Sequence, residues 1–134
     1  MKKLGIIGCG GIANFHAKAM QAAGFKISAV AGRPGSIENV KIFAKKFKVN
    51  KIFNDPNSLI LAENLWDALL LTCPTSAMIK YIKKLNKYNK PILAEKPITH
   101  SLKEIKPFIR NKNISVAFNR RFYQSSIYAK EFLK

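Results

Sequence analysis

Short runs of apolar residues alternate along the chain with longer stretches in which apolar residues recur every third or fourth position. The short runs are typical of buried strands, whereas the longer stretches are typical of helices that bury one face. Six strands are predicted, at residues 3–7, 25–31, 52–53, 66–71, 91–94 and 115–118. Helices are predicted at residues 12–23, 36–47, 75–88, 101–111 and 123–134, and a short helix is predicted to be capped by residues 55–58.

Two of the helices carry patterns that predict which face is buried. The helix at residues 12–23 stops before Gly24, a residue suited to the position that follows a helix. Its predicted buried face consists of Ile12, Phe15, Ala19, Ala22 and Ala23. The face predicted for the helix at residues 36–47 consists of Ile37, Val40, Phe43, Ala44 and Phe47.

The predicted strands are apolar along their whole length, which indicates that both faces of the sheet are covered. Strands that alternate with helices favour parallel pairing, and right-handed connections then place helices on both faces. The sequence therefore predicts an α/β fold with a doubly wound parallel sheet of about six strands. Ligands bind such sheets beyond the carboxyl ends of the strands, so candidate chemistry is expected there.

Composition narrows the class of protein. The chain has 134 residues, of which 48% are hydrophobic and 23% are charged, as in one globular domain. Two cysteines are too few for a disulfide framework, and no apolar run approaches the roughly 20 residues of a membrane span. The apolar segment before Cys9 is too short for a secretory signal, so we expect a cytoplasmic protein without a cleaved segment.

The net charge of +17 results from 24 basic and 7 acidic residues. Twenty of the basic residues are lysines, which are spread along the chain rather than clustered. Arginine, the residue that makes most bidentate contacts with bases and phosphates, occurs four times. The charge pattern favours a solvated lysine coat over nucleic-acid binding, and a functional surface for a polyanion is the alternative.

A glycine-rich motif, Gly-Cys-Gly-Gly-Ile-Ala, joins the first predicted strand to the first predicted helix. In this context the motif is typical of Rossmann-type dinucleotide binding. Gly8 is expected to permit the tight turn, Gly10 to admit a pyrophosphate at the helix N-terminus, and Ala13 to keep the helix close to the sheet. Gly11 and Ile12 complete the predicted cofactor-binding segment. The alternative is a glycine-rich turn that holds no ligand.

The end of the second predicted strand is where the adenosine ribose would be recognised. NAD enzymes usually place an acidic residue here, but residues 31–36 read Ala-Gly-Arg-Pro-Gly-Ser. Gly32 leaves space, and Arg33 and Ser36 are predicted to hold a 2′-phosphate. The sequence therefore slightly favours NADP over NAD. Stacking of Arg33 on the adenine is the alternative, and it is compatible with either cofactor.

Three further motifs follow the later predicted strands: Thr72-Cys73-Pro74, Glu95-Lys96-Pro97 and Asn119-Arg120-Arg121-Phe122. Together with the glycine motif and His16 after it, their order closely resembles that of the glucose–fructose oxidoreductase, inositol dehydrogenase and rhizopine-catabolism (Gfo/Idh/MocA) family. The resemblance covers almost the whole chain. One departure is Met78, because the family often has a histidine at this distance after the proline.

The resemblance implies an NAD(P)-dependent oxidoreductase that transfers a hydride between a nicotinamide cofactor and a sugar or cyclitol hydroxyl. It implies that Lys96 lies beside the nicotinamide and the reacting hydroxyl, where an ammonium group helps to move the proton. It also implies a cis bond between Lys96 and Pro97. His16 lies where the family often carries a histidine that faces the sheet edge, but packing within the first helix is the favoured interpretation. The other residues that the resemblance implies for cofactor binding are Thr72, Pro74, Glu95 and Arg121. For Arg121, an ion pair at the start of a helix is the alternative.

The resemblance also bears on domain organisation. Family members continue into a second domain that supplies much of the substrate pocket and the oligomer interface. We therefore expect residues 1–122 to form the dinucleotide-binding domain and residues 123–134 to begin a helix leading to that domain. The expected partners are the dinucleotide and, in the full-length protein, a sugar-like molecule, without nucleic acid, membrane or metal. A chain of this length is expected to lack turnover, and the alternative is a stand-alone nucleotide-binding module or partner-bound subunit.

Overall fold

Six strands pair in parallel into one sheet, in the order β3-β2-β1-β4-β5-β6, in a computed structural model that describes residues 1–133. The strands are β1 (Lys3–Ile7), β2 (Lys26–Ala31), β3 (Lys51–Phe53), β4 (Ala68–Leu71), β5 (Ile92–Ala94) and β6 (Ile114–Val116). The helices are α1 (Gly11–Ala22), α2 (Ile37–Phe47), α3 (Pro56–Leu61), α4 (Thr75–Leu85), α5 (Leu102–Ile105) and α6 (Gln124–Phe132). The predicted α/β fold with a six-stranded parallel sheet is confirmed.

The strand order reverses between β1 and β4. From β1 the chain proceeds outward through β2 and β3, and it then crosses to β4 on the other side of β1. Ile7 is the partner of Ala31 in β2 and of Leu71 in β4. A crevice opens beyond the carboxyl ends of β1 and β4 because the connections from these two strands depart in opposite directions.

The hydrophobic core has two parts, one on each face of the sheet. Neighbouring strand residues such as Ile6 and Ile7 belong to different parts, because side chains alternate across a strand. Helices α1 and α2 cover the part that contains Ile6. Helices α3 and α4 cover the part that contains Ile7 and Trp66. Helices therefore pack on both faces, as the apolar strands predicted.

The buried face of α1 differs from the predicted one. Ala13 and Ala17 are the buried residues of this helix, whereas Phe15 is 74% exposed. The reason is that small side chains let α1 approach the sheet closely, so the larger apolar side chains lie away from it. The predicted stop is confirmed, since Gly24 has a φ of +85° and the N–H of Phe25 donates to the carbonyl of Met20.

Other helices agree with the prediction to different degrees. The predicted face of α2 is confirmed, with Ile37 half-buried and the other four residues buried. The single helix predicted at residues 101–111 is wrong, because α5 ends at Ile105 and a 3-10 turn follows at Lys106–Phe108. Pro107 explains the change, since it has no N–H to continue an α-helix. Another 3-10 turn, Asn119–Phe122, precedes α6.

No helix among residues 1–133 combines the length and apolar character needed to cross a membrane.

Candidate functional site

Gly8 makes the tight turn at the carboxyl end of β1. Its φ is +95°, and a Cβ atom added to it would lie 2.7 Å from backbone atoms of Thr72 and Cys73. The N–H of Gly8 donates to the carbonyl of Ala31 (2.8 Å), and the hydroxyl of Thr72 donates to the carbonyl of Gly8 (2.5 Å). The turn is therefore attached to β2 on one side and to the segment after β4 on the other. Only glycine fits this position without displacing the neighbouring backbone.

Open space lies over the N-terminus of α1. Gly10 is the N-cap residue and has no side chain to bond the first N–H groups of the helix. A Cβ atom added to Gly10 or Gly11 would meet nothing within 4 Å. Ala13 is fully buried beneath this turn, against the sheet. Free N–H groups and the positive end of the helix dipole make such a site suitable for an anion such as a pyrophosphate.

A cleft of about 450 Å³ extends from the glycine turn toward the end of β2. Gly32, Arg33 and Ser36 line it on the β2 side. Among residues 1–133, no carboxylate lines this cleft. Gly32 is confined, because a Cβ atom there would lie 2.5 Å from Val40 and 2.7 Å from the hydroxyl of Ser36. Arg33 is exposed at the rim, and its carbonyl accepts a hydrogen bond from the Ser36 hydroxyl (2.9 Å).

Two cysteines line the same cleft. Both are free thiols. Burial raises the pKa of Cys9 to about 12 and the pKa of Cys73 to about 11. Both side chains are therefore neutral thiols near pH 7, and neither has the character of a nucleophile.

A second, larger cleft of about 1030 Å³ adjoins the first, and the two share Thr72, Cys73 and Pro74. Its walls come from α1, from the segments after β4 and β5, and from the chain after β6. Besides Thr72 and Cys73, the polar and charged residues among its lining are His16, Thr75, Glu95, Lys96, Asn119, Arg120 and Tyr123. The residue 72–74 segment therefore borders both clefts.

Glu95 and Lys96 follow β5 and lie in the second cleft. Nε2 of His16 is 2.6 Å from Oε1 of Glu95, and the backbone N–H of Lys96 donates to Oε2 of Glu95 (3.0 Å). The Lys96–Pro97 peptide bond is cis, as the family resemblance implied. Lys96 is an exposed residue and lines this cleft.

The two arginines after β6 have different positions. The guanidinium of Arg121 donates to the carbonyls of Val116 (2.8 Å) and Phe118 (3.2 Å), and Arg121 is not among the residues that line the two clefts. Arg120 does line the second cleft. The structure therefore places the guanidinium of Arg121 on backbone carbonyls at the end of β6 and places its neighbour Arg120 in the lining of the second cleft.

Most of the residues singled out in the sequence meet around the two clefts. The first cleft is lined by Gly8, Gly10, Gly32, Arg33, Ser36, Thr72 and Pro74. The second is lined by Ile12, Thr72, Pro74, Glu95 and Lys96, while Gly11 lies on a neighbouring hollow and Ala13 beneath the turn. Met78 also lines the second cleft, and its sulfur lies 4.0 Å from that of Cys73.

Sequence reasoning missed the pairing of His16 with Glu95 and the place of Arg120. The pair joins residues 79 positions apart, so no local spacing signals it. Arg120 and Arg121 are adjacent, and only the shape of the 3-10 turn decides which of them lines the cleft.

Comparisons with known proteins agree with this geometry. The sequence model of the family described as "Oxidoreductase family, NAD-binding Rossmann fold" matches residues 2–112. The uncharacterized oxidoreductase YrbE of Bacillus subtilis (strain 168) is 29% identical over 124 residues, which are 88% of this chain and 36% of YrbE.

Solved structures give the same result. Myo-inositol dehydrogenase from Lactobacillus casei, in complex with NAD(H) and myo-inositol, is similar with a TM-score of 0.86 and 26% identity, over 99% of this chain and 41% of that one. An oxidoreductase from Thermotoga maritima is similar with a TM-score of 0.84 and 27% identity, over 98% of this chain and 42% of that one. The chain thus spans about two fifths of the length of these proteins. With the family match over residues 2–112 and the glycine turn in place, the chain belongs to the Gfo/Idh/MocA family of oxidoreductases, in the part that forms the NAD-binding Rossmann fold.

Proposed function

We propose that this chain is the NAD(P)-binding unit of an oxidoreductase that transfers a hydride between the nicotinamide and a hydroxyl group of a sugar or cyclitol. The observation that carries the proposal is the open N-terminus of α1 at the Gly8–Gly10 turn, with Lys96 in the adjoining cleft. The similar Lactobacillus casei enzyme, which holds NAD(H) and myo-inositol, supports this class of substrate.

The glycine turn fits the phosphates of a dinucleotide. Gly10 and Gly11 leave room for an approaching anion, and the first N–H groups of α1 point toward that room. A side chain at Gly10 would fill the space. The negative charge of a pyrophosphate is stabilised there by the helix dipole as well as by hydrogen bonds. We assign the turn to the pyrophosphate for these reasons.

The first cleft fits the adenosine half, and we propose that it favours NADP. Arg33 and Ser36 line it, while the carboxylate of Glu38 is bound to Lys41 (2.8 Å) rather than turned toward a ribose. A guanidinium binds a phosphate strongly, because its N–H groups match the spacing of the phosphate oxygens. A 2′-phosphate would therefore gain a partner, whereas a 2′-hydroxyl would lack the usual carboxylate acceptor.

The second cleft fits the nicotinamide half and the substrate. When bound, the nicotinamide accepts or supplies the hydride. Lys96 would hold the reacting oxygen by a hydrogen bond and assist the movement of its proton. Thr72 and Pro74, which border both clefts, would separate the two halves of the dinucleotide.

Titration of the chain with NADP(H) and with NAD(H), by calorimetry or fluorescence, tests the proposal. We expect NADP(H) to bind more tightly, by roughly tenfold to a hundredfold, the range for hydrogen bonds to a charged group. Arg33→Ala should remove this preference and leave NAD(H) affinity little changed, whereas Arg110→Ala, at an exposed arginine outside both clefts, should change neither. Gly10→Leu should abolish binding of both cofactors.

Two results would contradict the proposal in different ways. Equal affinities that Arg33→Ala leaves unchanged would refute the NADP preference but not the binding unit. Failure of both dinucleotides to bind the folded chain would refute the binding unit itself.

A further inference from the structure

A carboxylate joins α1 to the turn that carries Lys96. Oε1 of Glu95 lies 2.6 Å from Nε2 of His16, and Oε2 of the same carboxylate accepts the backbone N–H of Lys96 at 3.0 Å. Since a carboxylate only accepts, Nε2 of His16 carries the hydrogen of this bond. The side chains of His16 and Glu95 are 19% and 16% exposed, so water competes little for the bond.

The sheet holds Glu95 but not Lys96. The N–H of Glu95 donates to the carbonyl of Leu71 (2.8 Å). This hydrogen bond continues the pairing of β4 with β5 by one residue beyond Ala94. Lys96 lies one residue further on, and within residues 1–133 the acceptor found for its N–H is the Glu95 carboxylate. The orientation of the peptide group before Lys96 therefore depends on where that carboxylate points.

The direction of the Lys96 side chain depends on the same turn. Among the described residues, no hydrogen bond or ion pair is formed by its ammonium group, and the residue is exposed. With no partner at its end, the side chain leaves the backbone in the direction that the turn gives it. If the Glu95 carboxylate could rotate freely, it would release the N–H of Lys96. The Lys96 side chain could then leave the backbone in a wider range of directions.

We propose that His16 is a positioning residue for Lys96: by holding one oxygen of Glu95, it keeps the other oxygen on the Lys96 N–H and so directs the Lys96 side chain into the second cleft. The significance for hydride transfer rests on the proposed function, in which Lys96 contacts the reacting hydroxyl. The structural coupling of His16 to Lys96 can be tested without cofactor or substrate.

Nuclear magnetic resonance of the chain tests the coupling. In the unsubstituted chain, a long-range proton–nitrogen spectrum should show Nε2 of His16 protonated and hydrogen-bonded. His16→Ala should shift the Lys96 amide proton upfield and lower its heteronuclear NOE, because the bond to Glu95 loosens. His16→Gln should largely restore both, since a glutamine amide reaches about as far as Nε2 and also donates. Lys18→Ala, at an exposed residue of the same helix, should leave both unchanged.

Three results would overturn the proposal. The first is an unprotonated Nε2 in the unsubstituted chain, which needs no variant to fold. The second is a Lys96 amide that His16→Ala leaves unchanged. The third is a His16→Gln chain that behaves like His16→Ala, since the effect would then come from ring packing and not from the donated bond. None of these depends on dinucleotide binding, so failure of the proposed function would be recognised separately, in the titrations described above.

Discussion

The two glycines of the turn are required for different physical reasons. Gly8 has a backbone conformation and a neighbouring backbone that exclude a side chain, whereas Gly10 has an ordinary extended conformation with open space around it. The first glycine is therefore a requirement of the fold. In the proposed function the second is a requirement of the ligand, because the space it leaves empty is the space assigned to the pyrophosphate.

Gly8→Ala and Gly10→Ala should separate these requirements. We predict that Gly8→Ala lowers the free energy of unfolding by about 1–3 kcal/mol or more, because that range is the usual cost of a residue in a strained backbone conformation. Gly10→Ala should leave it within about 0.5 kcal/mol but weaken dinucleotide binding. Denaturant unfolding and cofactor titration measure the two effects. A stable Gly8→Ala chain, or a Gly10→Ala chain with normal affinity, would contradict the assignment.

At this scale the sequence predicted the residues of the glycine turn and of the Glu95–Lys96 segment, because each follows a strand directly. It could not predict how side chains pair across the cleft. His16 and Glu95 are 79 positions apart in the sequence, and their contact depends on how closely α1 lies against the sheet. The choice between Arg120 and Arg121 depended on one turn of irregular backbone.

Among the elements, α1 shows where a pattern of apolar residues misleads. The pattern weights large apolar side chains, yet the buried positions of α1 are the alanines at 13 and 17. The larger side chains of Ile12 and Phe15 line the second cleft instead. The sequence thus predicted the helix and its end correctly but not its orientation, which the close approach to the sheet decides.

Matched alanine-to-leucine substitutions test this orientation. We predict that Ala13→Leu lowers the free energy of unfolding by about 1–3 kcal/mol, because the added atoms overpack the contact between α1 and the sheet. Ala22→Leu, on the exposed end of the same helix, should change it by no more than about 0.5 kcal/mol. Urea or thermal unfolding provides the measurement. Equal effects at the two positions would show that the helix is turned differently.

The cap of α3 makes part of the stability dependent on pH. Burial opposes the charge of Asp55, but hydrogen bonds from Ser58 and Asn57 outweigh this effect and lower its pKa below the ordinary value of 3.8. The folded state thus binds a proton less readily than the unfolded state. The resulting stabilisation is present above the unfolded pKa and is lost as the pH falls through 3.8 and then through the folded pKa.

We predict that Asp55→Ala destabilises the chain by about 0.5–2 kcal/mol at neutral pH, because the N–H of Ser58 loses its acceptor at the helix start. Asp55→Asn should retain most of the cap, since asparagine caps well, but should lose the part of the acid sensitivity that Asp55 contributes. Unfolding measured between about pH 3 and pH 7 distinguishes the variants. A parallel pH dependence in Asp55→Asn and the unsubstituted chain would show that Asp55 does not contribute to it.

For the whole molecule, the sequence predicted the class of fold because strand and helix patterns alternate without interruption and the strands are apolar throughout. The structure adds the strand order, which brings the ends of β1, β4 and β5 side by side. That order turns three separate motifs into one pair of adjoining clefts. It depends on pairings between distant segments, which the local pattern does not encode.

We predict that the 134-residue chain binds a dinucleotide but shows no measurable dehydrogenase turnover. Lys96 and Phe118 of the second cleft are exposed, and hydride transfer requires the substrate carbon to be held close to the nicotinamide. Cyclitols and sugars tested with both cofactors, with reduced nicotinamide followed by absorbance, provide the measurement. Clear turnover by the chain itself would refute this expectation.

In a dehydrogenase that contains this segment, Lys96→Ala should lower turnover by roughly 10²–10⁴-fold, because the proposed function gives Lys96 a part in moving the proton of the reacting hydroxyl.

The central position of β1 matters while the protein is being made on the ribosome. One edge of β1 pairs with β2, but the other waits for β4, whose first residue follows the end of β2 by 37 positions. At the usual rate of about 5–20 residues per second, that edge stays unpaired for roughly 2–7 seconds. An apolar strand with a free edge readily pairs with another chain. That edge of the nascent chain is therefore open to pairing with another chain until Leu69–Leu71 emerge and close the centre of the sheet.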